Sequence, residues 1–335
     1  MIISRTPFRV SFFGGGTDYP AWYNDRGGAV LATSINKYCY ISCRYLPPFF
    51  EHKYRVVYSK VEMVKDANEI QHPVVRAAID FMKINEGLEI HHDGDLPART
   101  GLGSSSSFTV GMLYALYALK GIMPTKKRLA LEAIHLERNI LKENVGSQDQ
   151  ILASIGGFNR IDFDPGNENA YRKTPIIVNA KRSHDLQSHL MLFFTGVSRF
   201  ASDVAKKKID NMPNKSTQLT MMHNMVEEAI SILTSEGCMT EFGKLLHDSW
   251  MLKRELSDGI SSKYIDEIYD AAREEGAIGG KLLGAGGGGF MLIFAPPQKH
   301  VAIKKRLGDL LRVPFKFEFQ GSQIVVFQPG TDNPY

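Results

Sequence analysis

The stretch that decides the fold reads LPARTGLGSSSS over residues 96–107 and continues as FTVGMLYALYAL over residues 108–119. Residues 108–119 carry no charge, and a helix that is apolar on all sides must be buried, so we predict a buried helix here. The glycine turn before it leaves backbone N–H groups without partners at the positive end of the helix dipole, where anions bind. The serine hydroxyls can also reach a Mg²⁺ ion carried by phosphate. The stretch therefore predicts a nucleotide phosphate site.

A purely structural alternative is a glycine and serine turn that only caps a buried helix. The turn has no lysine after its glycines, so it is not the GxxxxGK phosphate-binding loop. We therefore expect backbone amides and hydroxyls to hold the phosphates, and the cofactor-binding candidates are Gly101, Leu102, Gly103, Ser104, Ser105, Ser106 and Ser107.

Composition narrows the class of protein. The 335 residues suffice for two modest domains, and 43% hydrophobic with 23% charged residues is ordinary for a globular protein. The net charge of +4 comes from scattered basic residues, so we expect no nucleic-acid partner. Three cysteines are too few for a disulfide framework. No signal-peptide pattern or bilayer-spanning run is visible, so we expect a cytoplasmic monomer or homodimer without a membrane partner.

The order of predicted elements indicates an α+β fold in two halves. Residues 164–169 are rich in Asp, Pro, Gly and Asn and predict a junction, so we place the domains at residues 1–170 and 171–335. Residue patterns predict strands over 2–13, 28–45, 53–60, 88–92, 158–163, 189–194 and 290–295, and helices over 72–86, 126–143, 146–155, 216–236, 239–256, 261–275 and 297–311.

Glu137 is an acidic residue on an apolar helix face. On a helical wheel it projects between Ala133 and Leu141. A carboxylate in that position is costly unless it is paired or bound to metal. One interpretation is a buried salt bridge to an arginine. The sharper hypothesis is a Mg²⁺ ion shared with Ser104, because proteins usually hold this ion with one or two carboxylates and nucleotide phosphates.

Asp149 lies in the sequence GSQDQ, in the first turn of the helix predicted over residues 146–155. An acid at this place commonly does no more than complement the helix dipole. The functional alternative is a catalytic carboxylate that orients an attacking hydroxyl or takes its proton. The spacing alone leaves both open.

Two further glycine runs are candidate ligand loops. The first lies in RTPFRVSFFGGGTDY over residues 5–19, where glycines permit close approach to a ligand and Asp18 can accept hydrogen bonds from sugar hydroxyls. The second, KLLGAGGGGF over residues 281–290, predicts an amide nest that faces phosphate. A tight turn and a floppy hairpin are the structural alternatives. The substrate-binding candidates are Gly15, Gly16, Thr17, Asp18 and Gly288, and the additional cofactor-binding candidates are Gly286 and Gly287.

With its three motifs in this order, the chain resembles the GHMP family of small-molecule kinases. The resemblance implies a ribosomal protein S5-like N-terminal domain and a ferredoxin-like C-terminal domain, with ATP, Mg²⁺ and substrate between them. By the same resemblance, Ser104 and Glu137 match the magnesium-binding residues and Asp149 the catalytic aspartate. Arg9 matches a basic residue near that aspartate, and Asp18 matches a sugar-binding aspartate.

One departure bears on the substrate. Galactokinases of this family have Glu-His where this chain has Gly15-Gly16, so a contact to a hexose hydroxyl is missing. GGGTDYP, GSQDQ and TGVSRFA (residues 195–201) resemble the subgroup that phosphorylates the anomeric hydroxyl of D-glycero-D-manno-heptose 7-phosphate, on the route to GDP-heptose and surface polysaccharide. The sugar phosphate would need a cation, for which Arg199 is the first candidate and Arg172 and Lys173 are weaker ones.

Two alternatives to this substrate stay open. The first is a kinase of another sugar, of the fucose or galacturonate type. The second is a galactokinase-like sensor that binds sugar and ATP and signals through a protein partner. The presence of Ser104, Glu137 and Asp149 disfavours the sensor, because a sensor need not keep a proton acceptor and a metal-binding carboxylate.

Overall fold

A computed structural model describes residues 1–98, 100–167, 170–197 and 201–328. Its strands form two separate sheets. In chain order they are β1 (Ile2–Phe13), β2 (Gly28–Tyr45), β3 (Tyr54–Val57), β4 (Val61–Val64), β5 (Leu88–Gly94), β6 (Phe158–Phe163), β7 (Tyr171–Pro175), β8 (Leu190–Phe194), β9 (Gly279–Leu282), β10 (Phe290–Phe294), β11 (Leu311–Arg312), β12 (Phe317–Glu318) and β13 (Gln323–Phe327).

The helices pack against both sheets. In chain order they are α1 (Pro20–Arg26), α2 (Pro73–Phe81), α3 (Ser104–Leu119), α4 (Lys126–His135), α5 (Gln148–Ile155), α6 (Ala180–Ser188), α7 (Ala201–Asn211), α8 (Ser216–Thr234), α9 (Thr240–Arg254), α10 (Lys263–Glu274) and α11 (His300–Arg306), with a π-helical turn at Leu136–Ile140 and 3₁₀ turns at Ala67–Glu69, Met212–Lys215 and Pro297–Lys299.

The first sheet is organised around the long strand β2. Its neighbours follow the order β13-β1-β2-β5-β3-β4, and β2 also pairs with β6 and β12. One half of β2 pairs with β6, from Gly28 opposite Phe163, and the other half pairs with β5, from Cys39 opposite Gly94. This strand therefore carries both the segment before α3 and the segment after α5.

Helix α3 packs on β1 and β2, as its uncharged sequence predicts. All residues from Ser106 to Leu119 are buried. Gly111 permits the close approach to β1, because a Cβ there would lie 2.8 Å from Thr6 Oγ1, and the Ser4 hydroxyl donates to the Gly111 carbonyl oxygen at 2.8 Å. The buried helix and the α+β class are confirmed.

The second sheet has the order β11-β8-β10-β9, with antiparallel pairs throughout. The two sheets are not divided at residue 170, the domain boundary expected from the sequence. Strand β7 pairs with β6, and near the chain end β12 pairs with β2 and β13 with β1, so all three belong to the first sheet. Without β13, the edge of β1 would present unpaired backbone groups; β13 pairs with that edge and places Phe327 opposite Ile2.

Most predicted elements are present within a few residues, and the exceptions are specific. The helix expected over residues 126–143 ends as α4 at His135 and continues as the π-helical turn. The short or polar helices α1, α6 and α7 were not predicted. Within the described residues, no helix is both long enough and apolar enough to cross a bilayer.

The two halves meet where the middle and last glycine motifs touch. A Cβ on Gly101 would lie 2.4 Å from the Leu283 carbonyl oxygen, and one on Gly284 would lie 2.4 Å from Gly101 Cα. Nearby, a Cβ on Gly289 would lie 2.2 Å from the Thr100 carbonyl oxygen. Both loops therefore need glycine so that their backbones can pack against each other.

This contact predicts a difference between two glycines of similar conformation. Gly101 (φ +81°) and Gly121 (φ +69°) both occupy the left-handed region, but Gly121 has nothing within 4 Å of a built Cβ. Gly121→Ala should cost about 1–2 kcal/mol of unfolding free energy from backbone strain alone. Gly101→Ala should add overpacking and cost about 2–5 kcal/mol in total. Urea unfolding measures both; equal losses would contradict the packed-loop contact.

Candidate active site

The predicted phosphate turn lies at the N-terminus of α3. The helix begins at Ser104, and the residue before it, Gly103, is left-handed with φ 75° and ψ 22°. The residue at the cap position is glycine, so it has no side chain that could cap this end. The first backbone N–H groups of an α-helix have no partner within the helix, so they are available to an anion at the positive end of the dipole.

Arg9 and Asp149 form a two-pronged ion pair directly beside this helix end. Arg9 Nε donates to Asp149 Oδ1 at 2.7 Å, and its terminal nitrogens donate to Asp149 Oδ2 at 2.8 Å and to the Gly101 carbonyl oxygen at 2.5 Å. A Cβ on Gly103 would lie 3.3 Å from Arg9 and 3.4 Å from the Asp149 carboxylate. Arg9 is 5% exposed and Asp149 25%, so the carboxylate faces outward from a buried guanidinium.

Glu137 is fully buried in the π-helical turn Leu136–Ile140. Its Oε2 accepts hydrogen bonds from Ser106 Oγ at 3.0 Å and from Gln150 Nε2 at 2.5 Å, whereas its Oε1 is buried without a hydrogen-bond partner among the described residues. Burial raises the pKa of this carboxyl to about 7, although hydrogen bonds from Thr109, Gln150 and Ser106 oppose that shift. The donors are hydroxyls and an amide, so the salt bridge to an arginine is not what the structure shows.

The serine that contacts Glu137 in the structure is Ser106, two residues after the Ser104 selected from the sequence. In an α-helix, positions 104 and 106 point in different directions, and residue spacing alone does not distinguish between them. An unpartnered buried carboxylate oxygen next to hydroxyl groups at an anion-binding helix end fits a divalent cation. The described residues hold no cluster of three or more His, Cys, Asp or Glu that could bind a metal, so such an ion would need ligands beyond Glu137.

The first glycine run forms a loop packed against the start of α5. The Thr17 hydroxyl donates towards the carbonyl oxygens of Gly14 and Ala29, both at 2.9 Å. Asp18 is 1% exposed, and its two oxygens accept hydrogen bonds from the Gly16 amide at 2.9 Å and from Gln148 Nε2 at 3.0 Å. These two predicted substrate residues therefore also hold the loop, and through Gln148 they fix the residue that precedes Asp149.

The last glycine run makes its close contacts with protein backbone. The amide of Gly287 donates to the Ile260 carbonyl oxygen at 2.9 Å, and the amide of Gly289 donates to the Val197 carbonyl oxygen at 2.7 Å. The amide of Gly287, expected to face phosphate, is thus occupied in this structure. Lys253 fixes the start of the run, because its Nζ donates at 2.7 Å to the Leu282 and Gly284 carbonyl oxygens.

Three buried lysines near the site were missed from the sequence: Lys208, Lys253 and Lys281. Burial lowers the pKa of each, that of Lys281 to about 7. Lys281 Nζ donates to the Phe12 carbonyl oxygen at 2.6 Å and so joins the last motif to the first. A signal existed for Lys208, which shares a helical face with Val204, Ala205 and Met212.

Two of the cations expected to hold the sugar phosphate, Arg172 and Lys173, lie away from this site. Arg172 is 67% exposed and pairs with Asp162 at 3.5 Å, on β7 and β6. Lys173, its neighbour on β7, is exposed. Arg199 lies outside the described residues. Arg172 and Lys173 therefore lie on the exposed strand β7 and not beside Arg9 and Asp149.

A helix N-terminus behind a glycine turn, an ion-paired carboxylate beside it and a buried carboxylate that contacts its first turn are the parts of a phosphoryl-transfer enzyme. The sequence profile of the GHMP kinase N-terminal domain matches residues 69–157, and that of the C-terminal domain matches residues 225–311. The chain belongs to the GHMP kinases. It is therefore an ATP-dependent small-molecule kinase, and the two-domain fold expected from the resemblance is confirmed.

Individual relatives agree with the family assignment. The chain is 30% identical, over 91% of its length, to D-glycero-alpha-D-manno-heptose 7-phosphate kinase of Campylobacter jejuni, and the alignment covers 93% of that protein. It is 24% identical, over 92% of its length, to L-fucokinase/L-fucose-1-P guanylyltransferase of Bacteroides fragilis, of which 36% is covered. It superposes with a TM-score of 0.80 and 21% identity on a D-glycero-D-manno-heptose 1-phosphate kinase of Bacteroides thetaiotaomicron, covering 98% of this chain and all of that one.

The geometry of Arg9 and Asp149 predicts strong energetic coupling. In a double-mutant cycle of Arg9→Met and Asp149→Asn, the unfolding free energies should give a coupling of about 2 kcal/mol, because the pair is charged, bidentate and largely buried. The matched control is the surface pair of Arg128 and Glu132, whose Arg128 side chain is 55% exposed; its coupling should be clearly smaller. Equal coupling in both cycles would show that the Arg9 pair is no more than a surface contact.

Proposed function

We propose that the protein transfers the γ-phosphoryl group of ATP to the anomeric hydroxyl of a sugar phosphate, D-glycero-D-manno-heptose 7-phosphate, and forms the 1,7-bisphosphate. The observation that carries the proposal is the Arg9–Asp149 pair, which lies against Gly103 at the N-terminus of α3. A proton acceptor in that place lies next to the amides that would hold the nucleotide phosphates. An acceptor hydroxyl bound to Asp149 would thus face the γ-phosphate.

The roles of the residues follow from their contacts. Amides of residues 101–107 would cradle the phosphates, and Asp149 would bind the anomeric hydroxyl and accept its proton during transfer. Arg9 uses donors on both Asp149 oxygens and on the Gly101 carbonyl oxygen, so it fixes the carboxylate relative to the phosphate turn. Because the transition state of phosphoryl transfer is loose, such positioning supplies most of the acceleration.

The residues fit a Mg²⁺ ion at the same helix end. Glu137 would hold it through Oε1, the oxygen without a hydrogen-bond partner among the described residues, together with the hydroxyl of Ser104 or Ser106. When bound, the ion supplies positive charge that neutralises the β- and γ-phosphates. The buried position of Glu137 keeps this carboxylate away from bulk water.

The choice of heptose 7-phosphate has two supports. The relative of Campylobacter jejuni named for this substrate aligns with nearly the whole chain. Gly15 and Gly16 stand where galactokinases have Glu-His, so a contact to a hexose hydroxyl is missing. The second candidate is a kinase of free fucose, which the similarity to two fucokinases favours.

A substrate panel tests the proposal. Release of ADP from ATP should proceed with heptose 7-phosphate at a kcat/KM at least about 100-fold above those for mannose, fucose and mevalonate, since a site built for a charged group rejects substrates that lack it. Asp149→Asn should lower kcat by about 10³-fold or more and leave binding of a non-hydrolysable ATP analogue nearly unchanged. Asp164→Asn, at an exposed acid, is the control. Preference for fucose, or wild-type turnover by Asp149→Asn, would refute the proposal.

The metal assignment predicts a selective loss in Glu137→Gln. The neutral amide should fold, because burial disfavours the charged form of this carboxyl and raises its pKa to about 7. Calorimetry should show that Mg²⁺ strengthens binding of the ATP analogue to the wild type by about 10-fold or more. The variant should lose that gain and keep its metal-free affinity. Glu143→Gln, from the same segment, serves as control; an unchanged Mg²⁺ effect in Glu137→Gln would place the metal elsewhere.

A further inference from the structure

Lys208 is a buried cation on the substrate side of the site. It lies in the last turn of α7 and is 5% exposed. Its Nζ lies 4.1 Å from the centroid of the Tyr19 ring. Tyr19 follows Asp18 at the end of the first glycine loop, so α7 of the second half places a positive charge over the loop of the first half.

The other buried cations near the site already donate hydrogen bonds to protein acceptors. Lys253 and Lys281 donate to backbone carbonyl oxygens, and Arg9 donates to Asp149 and to the Gly101 carbonyl oxygen. In contrast, the described part of the chain provides no hydrogen bond and no ion pair to the Lys208 ammonium. The ammonium lies over the face of the Tyr19 ring, so its N–H groups that point away from the ring can donate to a ligand.

Lys208 is 5% exposed and its ammonium has no acceptor among the described residues, an unfavourable state that a bound anion would relieve. Asp18 and Asp149 lie close enough to affect the charge of Lys208, and both have hydrogen-bond donors of their own. These two carboxylates would repel an anionic substrate unless a cation in the site bound its negative group. A phosphate monoester offers both negative charge and several acceptor oxygens to the three ammonium donors.

We propose that Lys208 binds the phosphate ester that the acceptor sugar already carries. We assign Lys208 to the acceptor and not to the nucleotide, because the nucleotide phosphates are proposed to lie at the start of α3 and the Lys208 ammonium lies over the Tyr19 ring. The inference rests on the proposed function, because it takes the acceptor to be a sugar phosphate. It replaces Arg172 and Lys173 as the phosphate-binding group, since these lie on β7, exposed to solvent.

The test compares phosphorylated and free heptose as acceptors. Lys208→Met should raise KM for heptose 7-phosphate about 10- to 100-fold, the loss expected for hydrogen bonds to a charged group. KM for unphosphorylated heptose and for ATP should change less than about threefold. The control is Lys207→Met, an exposed lysine on the same helix, which should behave as wild type. Lys208→Arg should keep part of the preference for the phosphate.

The outcomes separate this inference from the function on which it rests. If the wild type prefers heptose 7-phosphate and Lys208→Met keeps that preference, or if KM for both acceptors rises equally, Lys208 does not bind the phosphate and the inference alone fails. If the wild type uses free sugars as well as it uses heptose 7-phosphate, the proposed substrate fails first and the inference with it. Should the methionine variant not fold, Lys208→Gln answers the same question without the charge.

Discussion

The N-terminus of α3 is the constraint on which the rest of the structure depends. A helix buried along Ser106–Leu119 must begin somewhere, and here it begins behind a left-handed glycine with no side-chain cap. Its first backbone amides and its dipole give positive potential between the two halves of the molecule. An end of this kind is stable only if water or an anion meets it. The surrounding elements, Arg9 from β1, Asp149 from α5 and the glycine run before β10, all converge on that one point.

The segments that meet at this helix end are held by close glycine contacts and by lysine hydrogen bonds. Gly101 and Gly284 touch through backbone, and Gly103 lies against Arg9 and Asp149 with no room to spare. Lys253 donates hydrogen bonds to two carbonyl oxygens of the last motif. Lys281, within that motif, donates to the Phe12 carbonyl oxygen in the first motif. Since each of these contacts joins segments distant in sequence, the site exists only in the folded chain. The Arg9 guanidinium of the site is buried, so its pairing with Asp149 matters more than that of a surface ion pair.

The sequence was sufficient for the elements that carry strong local signals. The apolar run of α3, the alternation in β1 and β2 and the core-facing position of Glu137 were all readable without a structure. Long-range geometry was not: Ser106 contacts Glu137 because the π-helical turn and the first turn of α3 set a direction that spacing does not encode. The return of β12 and β13 to the first sheet depends on an open edge, which no residue pattern reveals. The buried Lys208 had a helical-face signal, but a lysine in a polar helix is usually solvent-exposed.

The most direct test of the account is a crystal structure with Mg²⁺ and a non-hydrolysable ATP analogue. We expect phosphate oxygens at about 3 Å from backbone amides at the start of α3, and a metal ion at about 2.0–2.1 Å from a Glu137 oxygen and coordinated by a serine hydroxyl of the turn. The account is contradicted if the phosphates lie away from this helix end. It is equally contradicted if Glu137 lies more than about 8 Å from Ser104, beyond what the oxygen shell of one ion bridges.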